Sequence, residues 1–287
     1  MSLRFLLATS LLLCAPLAAV AAEKTPLERA VTDFQAGRFA AVIELGKTPI
    51  TDVVERARLQ YLVGEAQLVL ERPAEAETSF RDVIRTRPKA VPALVGLGRA
   101  LRLQGQLEAA EKPLKEALAL DAEDVGARIA LGELRTSQGE LEAGEKLLAA
   151  AHASAPADPV GARSYFEVLL RREKSMQAVE LAEAYMQLRP EHPLGSFLLA
   201  VAMERDGADE AAQEQYLAAL ELDPGFIDAH KNLAILCHTL SKNYSDKARV
   251  ELAFQHYKAY FELGGGDQNL RATYEQLLTF REQLLGS

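Results

Sequence analysis

The sequence predicts an all-α solenoid assembled from helix–turn–helix units of 34 residues. Three observations carry that expectation. The 287-residue chain holds 48 Ala and 46 Leu, both strong helix formers, and Ala also lets helix backbones approach closely. Small residues recur at fixed positions of a 34-residue period. Gly and Pro recur where helices would have to stop. Composition excludes other classes. With 49% hydrophobic and 25% charged residues the chain is ordinary for a globular protein, not disordered, collagen-like or multispanning. A formal charge of −9 speaks against nucleic-acid binding, which calls for a basic surface.

Residues 1–22 read as a cleaved signal peptide. Arg4 supplies a positive n-region, and Phe5 to Leu13 form a short apolar run. Ala19-Val20-Ala21 and Val20-Ala21-Ala22 offer small residues at the cleavage positions. The run is well short of the ~20 residues that span a bilayer, and Ser10 and Pro16 interrupt the stretch, which argues against an uncleaved anchor. Lipid attachment at Cys14 needs a small residue just before it, and Leu13 stands there, so a lipoprotein is not expected. The expected location is periplasmic or secreted, with no transmembrane segment in the mature chain. Cleavage removes Arg4 and no acid, moving the net charge from −9 to −10. It leaves Cys237 as the single thiol, which reads as a small buried hydrophobe.

Residues 23–56 fit a first, divergent repeat. Thr25-Pro26-Leu27-Glu28 is a capping box with Pro at the first helical position. Gly37 stands at position 15 of the unit, and Pro49 at position 27 requires a short second helix.

Five units follow in register over 57–226, namely 57–90, 91–124, 125–158, 159–192 and 193–226. Helical periodicity covers positions 1–14 and again 16–31. Position 8 is Gly64, Gly98, Gly132, Phe166 and Ala200, and position 20 is Ala76, Ala110, Gly144, Ala178 and Ala212. Small residues there bring the two helices of a hairpin together. Position 27 is Val83, Ala117, Ala151, Tyr185 and Ala219, where a small residue lets the second helix meet the next unit. Gly105, Gly139 and Gly207 at position 15 end first helices, and Pro88, Pro156, Pro190 and Pro224 at position 32 end second helices. One hairpin cannot bury its apolar face alone, so the units must stack. The 159–192 unit departs most, with Phe166 and Tyr185 at small positions and Ala182 at position 24, where its neighbours carry Leu148 and Tyr216. That pattern suggests a volume exchange within the hairpin; neutral drift is the other reading.

Residues 227–267 fit a last unit with seven extra residues between its helices. Leu233-Ala234 hold positions 7 and 8, and Ala253 holds position 20. Seven residues are nearly two helical turns, so the buried stripe stays in phase if they lengthen a helix. Ser245 is the expected N-cap of the longer second helix, and Gly264-Gly265-Gly266 ends it. Residues 268–287 read as a terminal capping helix with Leu270, Tyr274, Leu277, Leu278 and Leu284 on one side.

These units resemble the tetratricopeptide repeat. The likeness is carried by Ala93-Leu94-Val95-Gly96-Leu97-Gly98 with Ala109-Ala110 and Ala117-Leu118, and by Ala211-Ala212, Ala219-Leu220 and Leu222-Asp223-Pro224. The resemblance implies a right-handed α-solenoid. It also implies that positions 2, 5, 6, 9, 12 and 13 of each first helix line a concave groove holding an extended peptide or a partner helix. Carried onto this chain, the partner-binding candidates are Tyr61, Arg99, Arg102, Ile129, Arg163, Phe197 and Lys231. One subgroup of the family clamps a C-terminal carboxylate with Lys at 5 and Asn at 9. Here Lys231 stands at 5 but Ile235 at 9, so that clamp is not expected. The groove positions carry Arg58, Arg99, Arg102, Arg163, Arg171, Arg205 and Lys231 against Glu65, Glu133, Glu167, Glu204 and Asp228. This balance reads as a groove for neutral or acidic segments, or as merely mixed. The long last hairpin, with Tyr244, Tyr257 and Tyr260, is a second candidate surface.

No phosphate-binding Gly loop, nucleophile elbow or paired-Cys motif is present. His230, Cys237, His238 and His256 are the one metal-like grouping. His230 and His238 lie two turns apart on one helix, too far to share an ion, so scattered solvated or partly buried side chains are expected. Neither enzyme activity nor a cofactor or metal is expected. The expected function is protein interaction, as a scaffold or assembly factor in the bacterial periplasm or envelope. The resemblance implies service to machines such as pili, secretion, polysaccharide export or cofactor maturation. The alternative is a periplasmic holdase-type chaperone for exported chains.

Overall fold

The structure is a computed structural model and describes residues 24–241 and 246–285. Among the described residues there are fifteen α-helices and no strand. They are α1 Pro26–Gln35, α2 Phe39–Leu45, α3 Val53–Val69, α4 Pro73–Thr86, α5 Val91–Leu103, α6 Leu107–Leu120, α7 Val125–Ser137 and α8 Leu141–Ser154. After these come α9 Pro159–Arg171, α10 Ser175–Leu188, α11 Leu194–Arg205, α12 Asp209–Leu222, α13 Ile227–Leu240, α14 Lys247–Glu262 and α15 Gln268–Leu285. Each odd-numbered helix from α1 to α13 packs on the even-numbered helix that follows it, and that second helix also meets the first helix of the next unit. The proposed signal peptide lies outside the described residues.

The ends follow local rules. At α1 the Glu28 amide donates to Thr25 Oγ1 at 3.2 Å, and the Thr25 amide donates back to Glu28 Oε2 at 2.9 Å. This capping box satisfies two otherwise orphan donors. Helix α2 is only seven residues long and stops at Leu45, ahead of Pro49. Helix α3 starts at Val53, four residues before the 57–90 unit, because Asp52 caps it by accepting from the Glu55 amide at 2.7 Å.

The turn after each first helix from α3 to α11 takes a left-handed residue. Gly105, Gly139 and Gly207 have φ of 74°, 84° and 77°, and the same place is held by Glu71 at 57° and Glu173 at 59°. In every case the next amide reaches back to a last-turn carbonyl, as from Gln106 to the Leu101 carbonyl at 2.9 Å and from Lys174 to the Leu169 carbonyl at 2.9 Å. That bond closes a Schellman cap. Glu can hold the position because the cap demands the conformation, at the cost of its Cβ strain.

Positions 8 and 24 face each other across the hairpin. A Cβ on Gly64 would meet the Phe80 ring at 2.8 Å, one on Gly132 would meet Leu148 Cγ at 2.7 Å, and one on Gly98 would collide with Leu114. The fourth unit reverses the pair, with Phe166 at position 8 and Ala182 at 24, both buried in the same core cluster. Volume is exchanged between facing helices and the hairpin stays filled. All four alanines at position 20 are fully buried. The fifth member, Gly144, lets α8 lie against the α7 backbone itself: its absent Cβ would sit 3.0 Å from the Gly132 carbonyl oxygen.

At the C-terminal end, α14 is 16 residues long. Its N-cap is Asp246, which accepts from the Arg249 amide at 3.1 Å. This corrects the expected cap by one residue, Ser245 itself lying outside the described residues. Helix α15 covers α14: the Phe254 and Tyr274 rings stack with centroids 5.2 Å apart, Arg281 lies 4.7 Å over Phe254, and Leu277 is fully buried. Leu284 is outside the described side chains. Cys237 is buried, and burial pushes its thiol pKa up to about 11, so it packs as a small hydrophobe and is not a nucleophile. Among the described residues no helix is long and apolar enough to cross a membrane.

Candidate partner-binding groove

The first helices line the inside of the curve. Consecutive first helices from α3 to α11 approach one another, whereas consecutive second helices have no comparable approach among the described residues. On a curved stack, elements converge on the concave side and splay on the convex side. One contact makes the curvature plain. Arg163 on α9 donates to Asp228 on α13 at 2.8 Å, reaching past α11 to a helix two units away. Its guanidinium lies 5.2 Å over the Phe197 ring and 6.0 Å over Phe226.

The candidate cations are held by acids from other elements of the stack. Arg99 reaches Glu65 at 3.1 Å, Arg102 reaches Glu133 at 2.6 Å, and Lys231 reaches Asp267 at 3.4 Å. Ser164 donates a second bond to Glu133 at 2.6 Å, so the Glu133 carboxylate joins three successive first helices. These pairs are partly screened by solvent and each contributes little stability. Their effect is on the groove's field: charge that the sequence counts as available is already neutralised locally. Partial desolvation by the groove walls, reinforced by Glu133, raises the pKa of Glu167 above the ordinary carboxylate range although its side chain reaches solvent. Tyr216 donates to Glu204 at 2.6 Å, and burial together with that carboxylate raises its phenol pKa.

Two expected contact residues sit deeper than the repeat pattern suggests. Ile129 and Phe197 are each only 6% exposed and belong to core clusters, so they form the groove floor and offer a partner little surface. Tyr61 is half-buried, with its ring 5.9 Å from Phe80; burial and the Glu65 carboxylate push its phenol pKa up to about 12. The second candidate surface is corrected. Tyr257 is 1% and Tyr260 7% exposed: the Tyr257 ring meets His238 of α13, and Tyr260 packs under the turn after α14, where its hydroxyl accepts from the Asp267 amide. Tyr244 lies outside the described residues. Three groove cations, Arg58, Arg171 and Arg205, are exposed and have no ion pair among the described residues.

A cavity of about 710 Å3 opens at the N-terminal end of the groove, between α1, α3 and the α4–α5 turn. Leu27, Val31, Tyr61 and Leu62 supply apolar wall, and Arg58, Arg87 and Lys89 supply charge. The repeat pattern overlooks Arg87 and Lys89, which lie in the turn between units and not on a first helix. The basic run Arg85-Thr86-Arg87-Pro88-Lys89 was the sequence signal for them.

The His grouping resolves into a pair. His230 Nε2 donates to the Pro224 carbonyl at 3.0 Å, leaving its Nδ1 to accept from His256 Nδ1 at 2.8 Å. Burial, helped by His230, holds the His256 pKa down to about 4. Among the described residues no group of three His, Cys, Asp or Glu side chains is placed to hold a metal ion.

Two models described as tetratricopeptide repeat match the chain, one over residues 61–124 and 166–225 and the other over 103–164. The chain is a tetratricopeptide repeat protein. It is 34% identical over 184 residues to the protein O-mannosyl-transferase TMTC2 of Homo sapiens, a match covering 64% of this chain and 22% of that one. Among solved structures it is similar to the APC/C hetero-tetramer Cut9-Hcn1, with TM-score 0.61, 16% identity and coverage of 88% of this chain and 48% of that one. It is also similar to a thermophilic tetratricopeptide repeat protein of Thermus thermophilus, with TM-score 0.57, 21% identity and coverage of 63% and 98%. The chain thus spans about a fifth of the curated relative and about half of the first structure. A tetratricopeptide repeat solenoid is a scaffold for protein–protein interaction.

Proposed function

We propose that this tetratricopeptide repeat protein is a non-enzymatic scaffold or assembly factor of the bacterial periplasm or envelope that holds a segment of a partner protein in its concave groove. The observation that carries the proposal is the convergence of the first helices, which places repeated side-chain rows on one continuous inner wall. The residues that read as a signal peptide support export of the chain.

The test begins with affinity capture from an envelope extract, identification of a stoichiometric partner by mass, and measurement of its affinity. Reversal of three exposed first-helix cations, Arg58→Glu, Arg171→Glu and Arg205→Glu together, is expected to abolish binding. The matched second-helix triple, Arg85→Glu, Lys115→Glu and Lys146→Glu, is expected to leave it intact. Loss only in the second triple would move the partner to the convex face and overturn the groove reading. A broad, sub-stoichiometric set of unrelated chains would overturn the scaffold reading in favour of a holdase.

A further inference from the structure

The groove's charges are unevenly satisfied. From α5 to α13 four groove cations, Arg99, Arg102, Arg163 and Lys231, each face a carboxylate of another element; Arg171 and Arg205 have no ion pair among the described residues, but Arg171 shares its cavity with Glu133 and Glu167. The smaller cavities there mix both signs, with Arg102, Glu133, Glu167 and Arg171 around one and Glu133, Arg163 and Glu167 around another. The N-terminal cavity differs. Arg58, Arg87 and Lys89 line it, no Asp or Glu does, and none of the three has an ion pair or side-chain hydrogen bond among the described residues. This local excess of positive charge stands on a protein whose formal charge is −9.

The apolar part of the cavity has a structural origin. The divergent first hairpin is short, since α2 ends at Leu45. The place before the next first helix is held here by Ala90; in the cavity beside α9, of about 220 Å3, the same place is held by His192, and Phe226 from one unit further on also lines that cavity. Beside small Ala90, Tyr61 and Leu62 line the cavity with Leu27 and Val31, Val31 being 38% exposed.

We propose that this N-terminal cavity is the docking subsite for an acidic protein segment that carries a bulky apolar side chain. The apolar residue fills the space between α1 and α3, and flanking carboxylates pair with Arg58, Arg87 and Lys89. Charge complementarity selects the acidic partner, and continuity with the first-helix wall, through Arg58 and Tyr61, makes the cavity one end of the same groove. The assignment rests on the groove reading above and specifies its chemistry and its place.

The probe is a fluorescein-labelled, end-blocked decapeptide with a central Leu-Leu-Phe flanked by Asp and Glu. One counterpart carries Lys at every acidic place and another Ser at every apolar place. Fluorescence anisotropy on the intact protein is expected to show binding of the acidic–apolar probe that weakens as salt rises, with both counterparts at least about tenfold weaker. Arg58→Glu with Lys89→Glu is expected to weaken the probe at least about tenfold, and Arg171→Glu with Arg205→Glu by no more than about twofold. All four side chains are exposed, and the neutral triple Arg58→Gln, Arg87→Gln, Lys89→Gln provides a second variant if a reversal unfolds the chain. Absence of binding, equal effects of the two pairs, or displacement of the probe by sodium laurate at lower concentration than by unlabelled peptide would overturn the assignment. If a captured partner is lost only with the Arg171 and Arg205 pair, the groove reading stands and the subsite falls. If neither pair matters and the second-helix triple does, both fall.

Discussion

Substitution of Gly144 by Ala is expected to destabilise the protein, although Ala is the better helix former. An added Cβ would lie 3.0 Å from the Gly132 carbonyl oxygen and 3.2 Å from the Thr136 amide nitrogen, and would press on the Thr136 hydroxyl. Two of these atoms are α7 backbone and cannot rotate away. The hydroxyl is tied down by its own bond to the Gly132 carbonyl at 2.9 Å. Helices α7 and α8 must therefore separate. Overpacking of this kind costs ~1–3 kcal/mol, and exchanging Gly for Ala in a helix interior returns ~0.8–1 kcal/mol, so the net loss is about 1 kcal/mol. Gly126→Ala is the matched control. It lies exposed in the first turn of α7, where a Cβ would meet only Asp124 Oδ1 at 3.4 Å, and a gain of up to ~0.5–1 kcal/mol is expected. Urea unfolding followed by circular dichroism should move the two midpoints in opposite directions by about 0.3–1 M. Hydrogen exchange of α7 and α8 amides localises the change, since repeat arrays can open unit by unit. A Gly144→Ala protein as stabilised as Gly126→Ala would refute the close approach of α7 and α8.

Other outcomes follow from single positions. Glu71→Gly and Glu173→Gly are each expected to stabilise by up to about 1 kcal/mol, as relief of left-handed strain outweighs the added chain entropy; a drop in urea midpoint would count against the turn geometry. Phe166→Ala is expected to cost ~3–5 kcal/mol, and Ala182→Leu added to it should recover part of that loss, whereas simple addition of two losses would disprove the volume exchange. The pKa of His256 is held down to about 4 from 6.5, so the unfolded chain takes up the proton first. Its contribution is fully present above pH 6.5 and is lost as the pH falls toward 4. His256→Gln should flatten stability across that window, and an unchanged pH profile would show that His256 is not the group responsible. Intact mass of protein recovered from the envelope should lack residues 1–22 and carry no lipid; a diacylglycerol-modified Cys14 would place the protein on a membrane.

The 34-residue period, its small residues and its helix stops were sufficient for the sequence to determine the architecture, because each encodes a local steric rule. Gly at position 15 and Pro at position 32 mark where helices end, and a residue without bulk inside a helix, as at Gly64, Gly98 and Gly144, marks the place where two helices touch. Even the short second helix before Pro49 was legible. What the tertiary structure decided depends on the distance between units. Arg163 counts as a free groove cation until curvature brings Asp228 from two units away, and no periodicity within one unit reports that meeting. Ile129 and Phe197 share a repeat position with the half-exposed Tyr61, yet the curve buries them and leaves Tyr61 beside an open cavity. His230 and His256 lie on different helices and meet only because α14 packs on α13. The free charge at Arg58, Arg87 and Lys89 is likewise tertiary: among the described residues no Asp or Glu lines the cavity these three share.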